Sequence, residues 1–450
     1  MRLSHAQGAD LGRDKISRLL FQLALPAILA QLINLLYNMV DRMYIGHIPG
    51  VGPSALTGVG ITLPLIMAIS AFAALVSMGG APRASIMLGK GDDQEAERIL
   101  GNCAAMLVIT SLLLTGVIQL FGEDLLLLFG ASENTISYAW DYMRLYSLGT
   151  LFVQLSLGLN AFINAQGFAK TSMLTVTIGA VCNILLDPLF IFAFHMGVRG
   201  AALATILSQG ISCLWILRFL TGKQATLHLG LKNTRLRRRT ILPCIALGVA
   251  PFIMQFTESI LSVCFNTSLL AYGGDVAVGA MTILASVMQF TALPLQGLSQ
   301  GAQPIIGFNY GAGNPDRVKE AFRLLLACCM IFAGGLWLLV MVFPQVFIGI
   351  FTSDPTLVQF TRWALRVYMA VSLLHGVQLA CQQTFIALGN AKTSVFLALL
   401  RKVILLIPLI YILPHFLADK VFAVFLAEPV ADFLAVSTTS VLFYRQYKKL

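Results

Sequence analysis

The feature that most constrains this chain is a succession of about twelve apolar runs, each near or above 20 residues in length. A transmembrane α-helix needs about 20 mostly apolar residues, whereas a transmembrane strand needs about ten. The runs also lack the alternation of apolar and polar residues that is typical of membrane barrels. The sequence therefore predicts membrane-spanning helices at approximately 19–44, 55–80, 98–121, 138–165, 172–196, 200–221, 241–271, 277–306, 318–345, 357–388, 394–415 and 420–444.

Composition agrees with a membrane protein, because 58% of the residues are hydrophobic and only 11% are charged. A soluble domain carries about 25% charged residues. The formal net charge of +10 does not indicate a nucleic-acid partner, since the basic residues lie between the apolar runs, where membrane topology explains them. The eight cysteines lack the spacing of metal ligands, so we interpret them as small apolar side chains of helices.

Three pairs of similar segments recur at one fixed separation. They are GKGDDQEAER and GAGNPDRVKE, FGEDLLLLF and FPQVFIGIF, and GFAKTS and GNAKTS, which begin at Gly89 and Gly311, Phe121 and Phe343, and Gly167 and Gly389. The offset is the same for every pair (311 − 89 = 343 − 121 = 389 − 167 = 222). This register predicts an all-α polytopic membrane protein with twelve transmembrane helices in two pseudo-symmetric six-helix bundles. Six spans per unit give both halves the same orientation, as in transporters that bind substrate between halves and rock them.

Basic residues concentrate in alternate connections between the apolar runs, which predicts by the positive-inside rule that both termini are cytoplasmic. We therefore expect a multi-pass protein of the plasma (inner) membrane with a basic connector in the middle of the chain. Contact of this connector with anionic membrane lipids is a secondary interpretation of its charge. The predicted units are a cytoplasmic N-terminal segment, an N-terminal lobe, a basic cytoplasmic linker, a C-terminal lobe and a cytoplasmic tail, at 1–18, 19–221, 222–240, 241–444 and 445–450.

Polar residues form one stripe on the first predicted span. Gln31, Asn34, Asn38 and Asp41 are separated by three, four and three residues, which places them on one helical face. A carboxylate at the centre of a membrane helix costs roughly 2.5–3.5 kcal/mol on insertion scales. The stripe therefore predicts that this helix faces a polar cavity and that Asp41 belongs to a binding site.

The first span of the second half carries a comparable stripe when Pro251 is aligned with Pro26. Glu258 is its acid, and it does not occupy the position equivalent to Asp41. The two halves are therefore expected to share a scaffold and to differ in the chemistry of their sites. The polar residues of this second stripe are Gln255, Glu258, Ser259, Ser262 and Asn266.

A second cluster lies in the fifth span, where Asn183 and Asp187 are four residues apart and share a helical face. Pro188 removes a backbone donor and predicts a kink that frees carbonyl groups. Asn160 and Thr205 are candidates to complete the site from neighbouring helices. Asp41, Asn183 and Asp187 would form an oxygen-only cluster that can hold Na⁺ or carry a proton, and the sequence does not separate these alternatives.

Four charged residues near the end of the chain receive a different interpretation. Glu428 lies near the predicted outer end of the last span, which favours solvation, while Asp432 is either structural or functional. Arg401 and Lys402 lie one or two turns inside the eleventh span, and we expect them to extend toward the cytoplasmic interface.

No enzyme motif is found. The chain lacks a phosphate-binding loop that ends in Lys-Ser/Thr, and its six histidines are scattered without metal spacing. We therefore expect a protein that is not an enzyme, needs no cofactor and uses an ion, H⁺ or Na⁺, as its energy source.

The layout resembles the multidrug and toxic compound extrusion (MATE) transporters over nearly the whole chain. The supporting stretches are LALPAILAQLINLLYNMVDRMYIGH in the first helix, NILLDPLFIF in the fifth, and QGAQPIIGFNYGAGN after the eighth. The resemblance implies cation-coupled antiport, in which H⁺ or Na⁺ enters as an organic, often cationic, drug-like molecule leaves. It also implies an ion site at Asp41, Asn183 and Asp187, and a C-terminal-lobe acid at Glu258.

The alternative is a flippase for lipid-linked precursors, because related flippases share the doubled bundle. Such a cavity needs basic residues for a pyrophosphate head group. The intramembrane acids of this chain outnumber its candidate cavity bases, which favours small organic cations as cargo. We expect the protein to act as a monomer.

Overall fold

The computed structural model describes residues 9–450, so the predicted N-terminal segment 1–18 lies partly outside the described residues. Within that range the regular structure is helical, without strands. The first half contains α1 Ile16–Gly46, α2 Gly52–Ile61, α3 Leu63–Lys90, α4 Asp93–Leu128, α5 Ile136–Leu148, α6 Thr150–Ala165, α7 Ala169–Pro188 followed by a π-helix Leu189–Ala193, and α8 Val198–Thr221.

The second half repeats this order after a linker that contains the 3₁₀ turn Leu231–Asn233. It contains α9 Arg238–Gly311, α10 Pro315–Val342, α11 Pro344–Gly349, α12 Pro355–Tyr368, a 3₁₀ turn Ser372–Leu374, α13 His375–Ala387, α14 Ala391–Leu399 followed by a π-helix Leu400–Leu406, α15 Ile407–Phe416, and α16 Lys420–Tyr447.

The spans agree with the prediction of twelve. Nine helices of the described chain are long and apolar enough to cross a membrane, and two bent pairs add one span each. The bent pairs are α5 with α6, at 60°, and α12 together with the 3₁₀ turn and α13, at 47°. One of the nine, α9, is interrupted at Gly274, whose positive φ of 67° breaks the helix and divides it into two spans. The all-helical membrane fold with two six-helix bundles is therefore confirmed.

The first spans of the two halves pack reciprocally on the opposite lobe. The beginning of α1, including Leu19 and Leu23, is buried in a cluster with Ile305 and Phe385 of the second half. In the same way, Cys244 near the beginning of α9 is buried in a cluster of the first half. These reciprocal contacts form an apolar interface between the lobes. It lies at the end of the molecule that holds the linker, which we call the linker side.

Backbone contacts close the linker side further. A Cβ atom added to Gly311 would overlap the carbonyl oxygen of Ile86, and one added to Gly89 would overlap the carbonyl oxygen of Phe308. The two contacts are related by the offset of the sequence repeat (311 − 89 = 308 − 86 = 222). The two lobes therefore touch backbone to backbone across the pseudo-twofold axis, which only glycine permits.

The linker is docked on the N-terminal lobe by hydrogen bonds. The side-chain oxygen of Gln166 accepts from the backbone N–H groups of Thr226, at 2.9 Å, and Leu227, at 2.8 Å. The side-chain oxygen of Asn102 accepts from the N–H of Arg237 at 2.7 Å. The linker that connects the two lobes therefore packs on the N-terminal lobe.

We expect Gly311→Ala to destabilise this arrangement, because overpacking a close contact costs about 1–3 kcal/mol. The apparent melting temperature in detergent is expected to fall by several degrees. Gly334→Ala is the matched control, since a Cβ at Gly334 meets nothing within 4 Å. Equal melting temperatures for the two variants would contradict the backbone contact.

Candidate functional site

A cavity of about 370 Å³ lies between the lobes and is lined by α1, α3, α6, α7 and α9. Its volume is within the range of small-molecule sites, about 300–1,000 Å³. No charged side chain is among its lining residues in the described chain. Its polar character comes from serines and from eight amides, which are Gln31, Asn34, Asn160, Asn164, Gln255, Gln296, Gln300 and Gln303.

Two of these amides use their N–H groups within the protein, while their oxygens have no described partner. The amide nitrogen of Asn164 donates to the Gln300 carbonyl at 3.0 Å, and that of Asn160 donates to the Ser172 carbonyl at 3.3 Å. The side-chain oxygens of Asn160 and Asn164 are buried without a hydrogen-bond partner. The cavity wall is therefore polar without formal charge.

The predicted substrate residues divide into two groups. Gln31, Asn34 and Gln255 line the cavity. Asn38 lies one turn farther from the linker side, where its exposed amide donates to the Asn34 carbonyl at 2.7 Å. The rest of the C-terminal stripe also lies beyond the described cavity, with Glu258 and Ser262 exposed and Asn266 half-buried. The exposed polar residues Asn38 on α1 and Glu258 and Ser262 on α9 extend the two stripes beyond the cavity, and we call this polar surface the cleft.

The structure brings Asp41, Asn183 and Asp187 together, as predicted. The side chain of Asn183 donates to Asp187 Oδ1 and to Thr205 Oγ1, each at 3.4 Å. The carboxyl groups of Asp41 and Asp187 lie within hydrogen-bonding reach of each other. All four residues are buried, Asp187 completely. We call these four residues the N-lobe cluster.

Three oxygen atoms of the N-lobe cluster are buried without a hydrogen-bond donor. They are Asp41 Oδ1, Asn183 Oδ1 and Asp187 Oδ2. Buried polar groups are almost always satisfied, because an unsatisfied one costs free energy. Hard cations such as Na⁺ prefer carboxylate and amide oxygens, and a proton shared by two carboxylates also removes part of the deficit. The donor set therefore fits either coupling ion.

Asn160 makes no described hydrogen bond with this cluster. It lies in the cavity wall on α6, where its amide nitrogen donates to the Ser172 carbonyl. That it completes the ion site stays a prediction, because spacing on one helix does not fix which neighbour that helix faces. Arg42, next to Asp41 in sequence, is exposed and forms no ion pair with it in the described chain, although it acts on the carboxylate electrostatically.

Tyrosines that we did not single out surround the N-lobe cluster. Tyr142 lies beside Asp41 and Thr205, and its ring stacks on Tyr146 with centroids 5.8 Å apart. Tyr37 precedes Asp41 by four residues and also lies close to it. The sequence could have indicated Tyr37 as a neighbour of Asp41, because residues four apart share a helical face.

Helix α7 changes its geometry directly after the cluster. It ends at Pro188, and the π-helix Leu189–Ala193 follows. Proline removes one backbone donor, and π segments are frequent at functional sites. The predicted interruption after Asp187 is therefore present, as a wider helical turn.

The C-terminal lobe contains a second buried charged group, where our interpretation was wrong. Arg401 donates to Asp432 at 2.6 Å and to Glu428 at 3.2 Å, and all three side chains are buried. Lys402 is buried as well and pairs with Glu258. Arg401 and Lys402 therefore do not extend to the interface, and Glu428 is not solvated, because each has a partner on a neighbouring helix. We call these five residues the C-lobe cluster.

The two clusters occupy corresponding places in the two lobes. Each uses the first, fifth and sixth spans of its bundle: α1, α7 and α8 in one, and α9, the π-helix Leu400–Leu406 and α16 in the other. The N-lobe cluster has carboxylates and unpartnered oxygens without a basic side chain. The C-lobe cluster contains its own cations. The spans are therefore equivalent, whereas the residue positions and the presence of basic side chains differ between the two clusters.

Comparison with known proteins agrees with this doubled architecture. The MatE family profile matches residues 26–189 and again 251–412. The chain is 25% identical over 425 residues to the multidrug export protein MepA of Staphylococcus haemolyticus, covering 94% of this chain and 93% of that protein.

Solved structures show the same fold. A MATE protein in its bent conformation superposes with a TM-score of 0.91 at 22% identity, covering 98% of this chain and 97% of the other. An outward-facing multidrug resistance MATE transporter of the MOP superfamily has the same TM-score and identity, covering 100% and 99%. Because the profile matches both halves over most of their length, this chain belongs to the MatE family of transporters.

Proposed function

We propose that this protein is an antiporter that exports organic cations in exchange for H⁺ or Na⁺ bound at the N-lobe cluster. The observation that carries the proposal is the set of three buried, unpartnered oxygens at Asp41, Asn183 and Asp187. A cluster with two carboxylates and no basic side chain in an apolar bundle requires a mobile cation. A coupling ion supplies one in each transport cycle.

The cavity supports the choice of cargo. Its volume suits a drug-sized molecule, and its amide oxygens accept hydrogen bonds from ammonium or amine groups without holding them by a formal charge. Weak, adaptable contacts favour broad specificity over tight binding of one compound. The related MepA is named as a multidrug export protein, which agrees with such cargo.

Alternating access is proposed to occur by rocking of one lobe against the other. The lobes are in contact on the linker side, and beyond the cavity the polar residues Asn38, Glu258 and Ser262 are exposed. If the linker and both termini are cytoplasmic, as the charge distribution predicts, this is the state that releases cargo outside. Cation binding at the N-lobe cluster and cargo binding in the cavity would then favour different states of the rocking equilibrium.

The flippase alternative has little support from the cavity. A pyrophosphate head group needs basic side chains, and none is among the lining residues in the described chain. The two buried bases of the C-terminal lobe are engaged with carboxylates.

The proposal is tested by purified protein in vesicles loaded with a fluorescent cation such as ethidium. We expect efflux to accelerate when either an inward proton gradient or an inward Na⁺ gradient is imposed, and the active gradient identifies the ion. Empty vesicles and a neutral dye are the controls. An ethidium efflux rate that is the same with and without either gradient would contradict cation coupling.

A further inference from the structure

The pair formed by Glu258 and Lys402 joins two very different environments. The Lys402 side chain is 6% exposed, whereas that of Glu258 is 59% exposed. Glu258 lies three residues beyond Gln255, which lines the cavity, so both share one helical face. The carboxylate therefore stands at the wall of the cleft with a buried ammonium group behind it.

Lys402 has other carboxylates within reach. Glu428 and Asp432 act on it electrostatically from α16, although their direct hydrogen bonds are with Arg401. Three carboxylates and two cations leave the C-lobe cluster with one excess negative charge. If Lys402 moves toward Glu428 and Asp432, that excess charge appears on Glu258, at the cleft.

The repeat shows that these cations are specific to the second lobe. At the repeat offset, Arg401 and Lys402 correspond to Gly179 and Ala180 on α7 (401 − 179 = 402 − 180 = 222). The first lobe thus has small residues where the second lobe has a guanidinium and an ammonium group. The N-lobe cluster needs an external cation, while the C-lobe cluster carries a tethered one.

We propose that Lys402 is a tethered cation that competes with the cationic cargo for Glu258, and that this exchange sets the affinity of the cleft for cations. The inference rests on the proposed export of organic cations and adds a specificity-determining residue to it. When cargo arrives, its positive charge replaces Lys402 at Glu258, and the ammonium group turns to Glu428 and Asp432. When cargo leaves, Lys402 returns, so the cleft never holds an unpaired carboxylate.

The test is equilibrium binding of tetraphenylphosphonium to the purified full-length protein by calorimetry. We expect Lys402→Met to lower the dissociation constant about tenfold, which corresponds to about 1.4 kcal/mol. A residue that only maintains the fold would weaken binding when replaced, so the direction of the change is diagnostic. Triphenylphosphine oxide, which is neutral, should bind both proteins equally. Lys392→Met removes an exposed lysine from the same span and is the matched control.

A double-mutant cycle tests whether Lys402 changes the affinity for cations through Glu258. Glu258→Gln should weaken tetraphenylphosphonium binding, and Lys402→Met should give no gain in that background. If Lys402→Met does not fold, Lys402→Gln with Glu428→Gln keeps one excess negative charge in the cluster and should show the same gain.

Failure of the proposed cation export and failure of the exchange at Glu258 give different results. Wild-type protein that binds neither tetraphenylphosphonium nor ethidium would remove the cationic cargo and the exchange with it. The exchange alone would be overturned if Lys402→Met left the affinity for tetraphenylphosphonium unchanged or lowered it. It would also be overturned if the gain in affinity from Lys402→Met persisted in the Glu258→Gln background.

Discussion

Arg401→Met is expected to destabilise the protein severely, more than any other single change considered. The substitution leaves Glu428 and Asp432 buried with only Lys402 to balance them. Removing one partner of a buried ion pair costs about 3–5 kcal/mol, because the remaining charge stays desolvated. We expect an apparent melting temperature in detergent that falls by about 10 °C, or protein that fails to accumulate in the membrane.

The control is an ion pair of similar length on the surface. Arg199 contacts Asp141 at 2.8 Å, with the two side chains 63% and 38% exposed. Exposed ion pairs contribute about 0–1 kcal/mol to stability, so the melting temperature of Arg199→Met should be close to that of the wild type. Adding Glu428→Gln and Asp432→Asn to Arg401→Met removes the stranded charges and should restore much of the stability. Equal melting of both arginine variants would show that the buried pairs are unimportant.

Asp41→Asn is expected to uncouple transport from the ion gradient. The amide keeps the shape of the side chain and removes a charge from the N-lobe cluster, where Asp41 and Asp187 lie together. Coupling free energies between two binding sites typically change affinity about 5- to 150-fold. Gradient-driven efflux of ethidium should fall by a factor in this range, while ethidium binding in detergent is retained.

Asp275→Asn is the matched control, since that carboxylate is exposed near the break in α9. It should leave coupled efflux within twofold of the wild type. Melting temperatures of both variants show whether a loss reflects unfolding. If Asp41→Asn responds to the imposed gradient as the wild type does, the N-lobe cluster is not the coupling site.

The fold was predictable because its signals are local or periodic. Each apolar run of about 20 residues indicates a membrane span by itself, and the constant offset of the repeat divides the spans into two bundles. The same register pairs Gly89 with Gly311, which prove to be contacts between the lobes. Hydropathy alone did not predict the bends at α5–α6 and α12–α13, since they depend on packing against neighbouring helices.

The N-lobe cluster was predictable in part. Polar residues at helical spacing marked Asp41, Asn183 and Asp187, because apolar surroundings make them costly unless they are grouped. The partnership of Arg401 with Glu428 and Asp432 was not visible, since it joins residues 27 and 31 positions apart on different helices. The sequence therefore led us to assign Glu428 to solvent and Arg401 and Lys402 to the interface, and it left the role of Asp432 open.

The central claim is that the mobile cation binds in the N-terminal lobe, while the C-terminal lobe carries its own cations, Arg401 and Lys402. The most direct measurement is the release of protons, or of radiolabelled Na⁺, from purified protein when saturating tetraphenylphosphonium is added. The account predicts release from the wild type and from Glu258→Gln, and none from Asp41→Asn. Undiminished release from Asp41→Asn, with loss in Glu258→Gln, would contradict it.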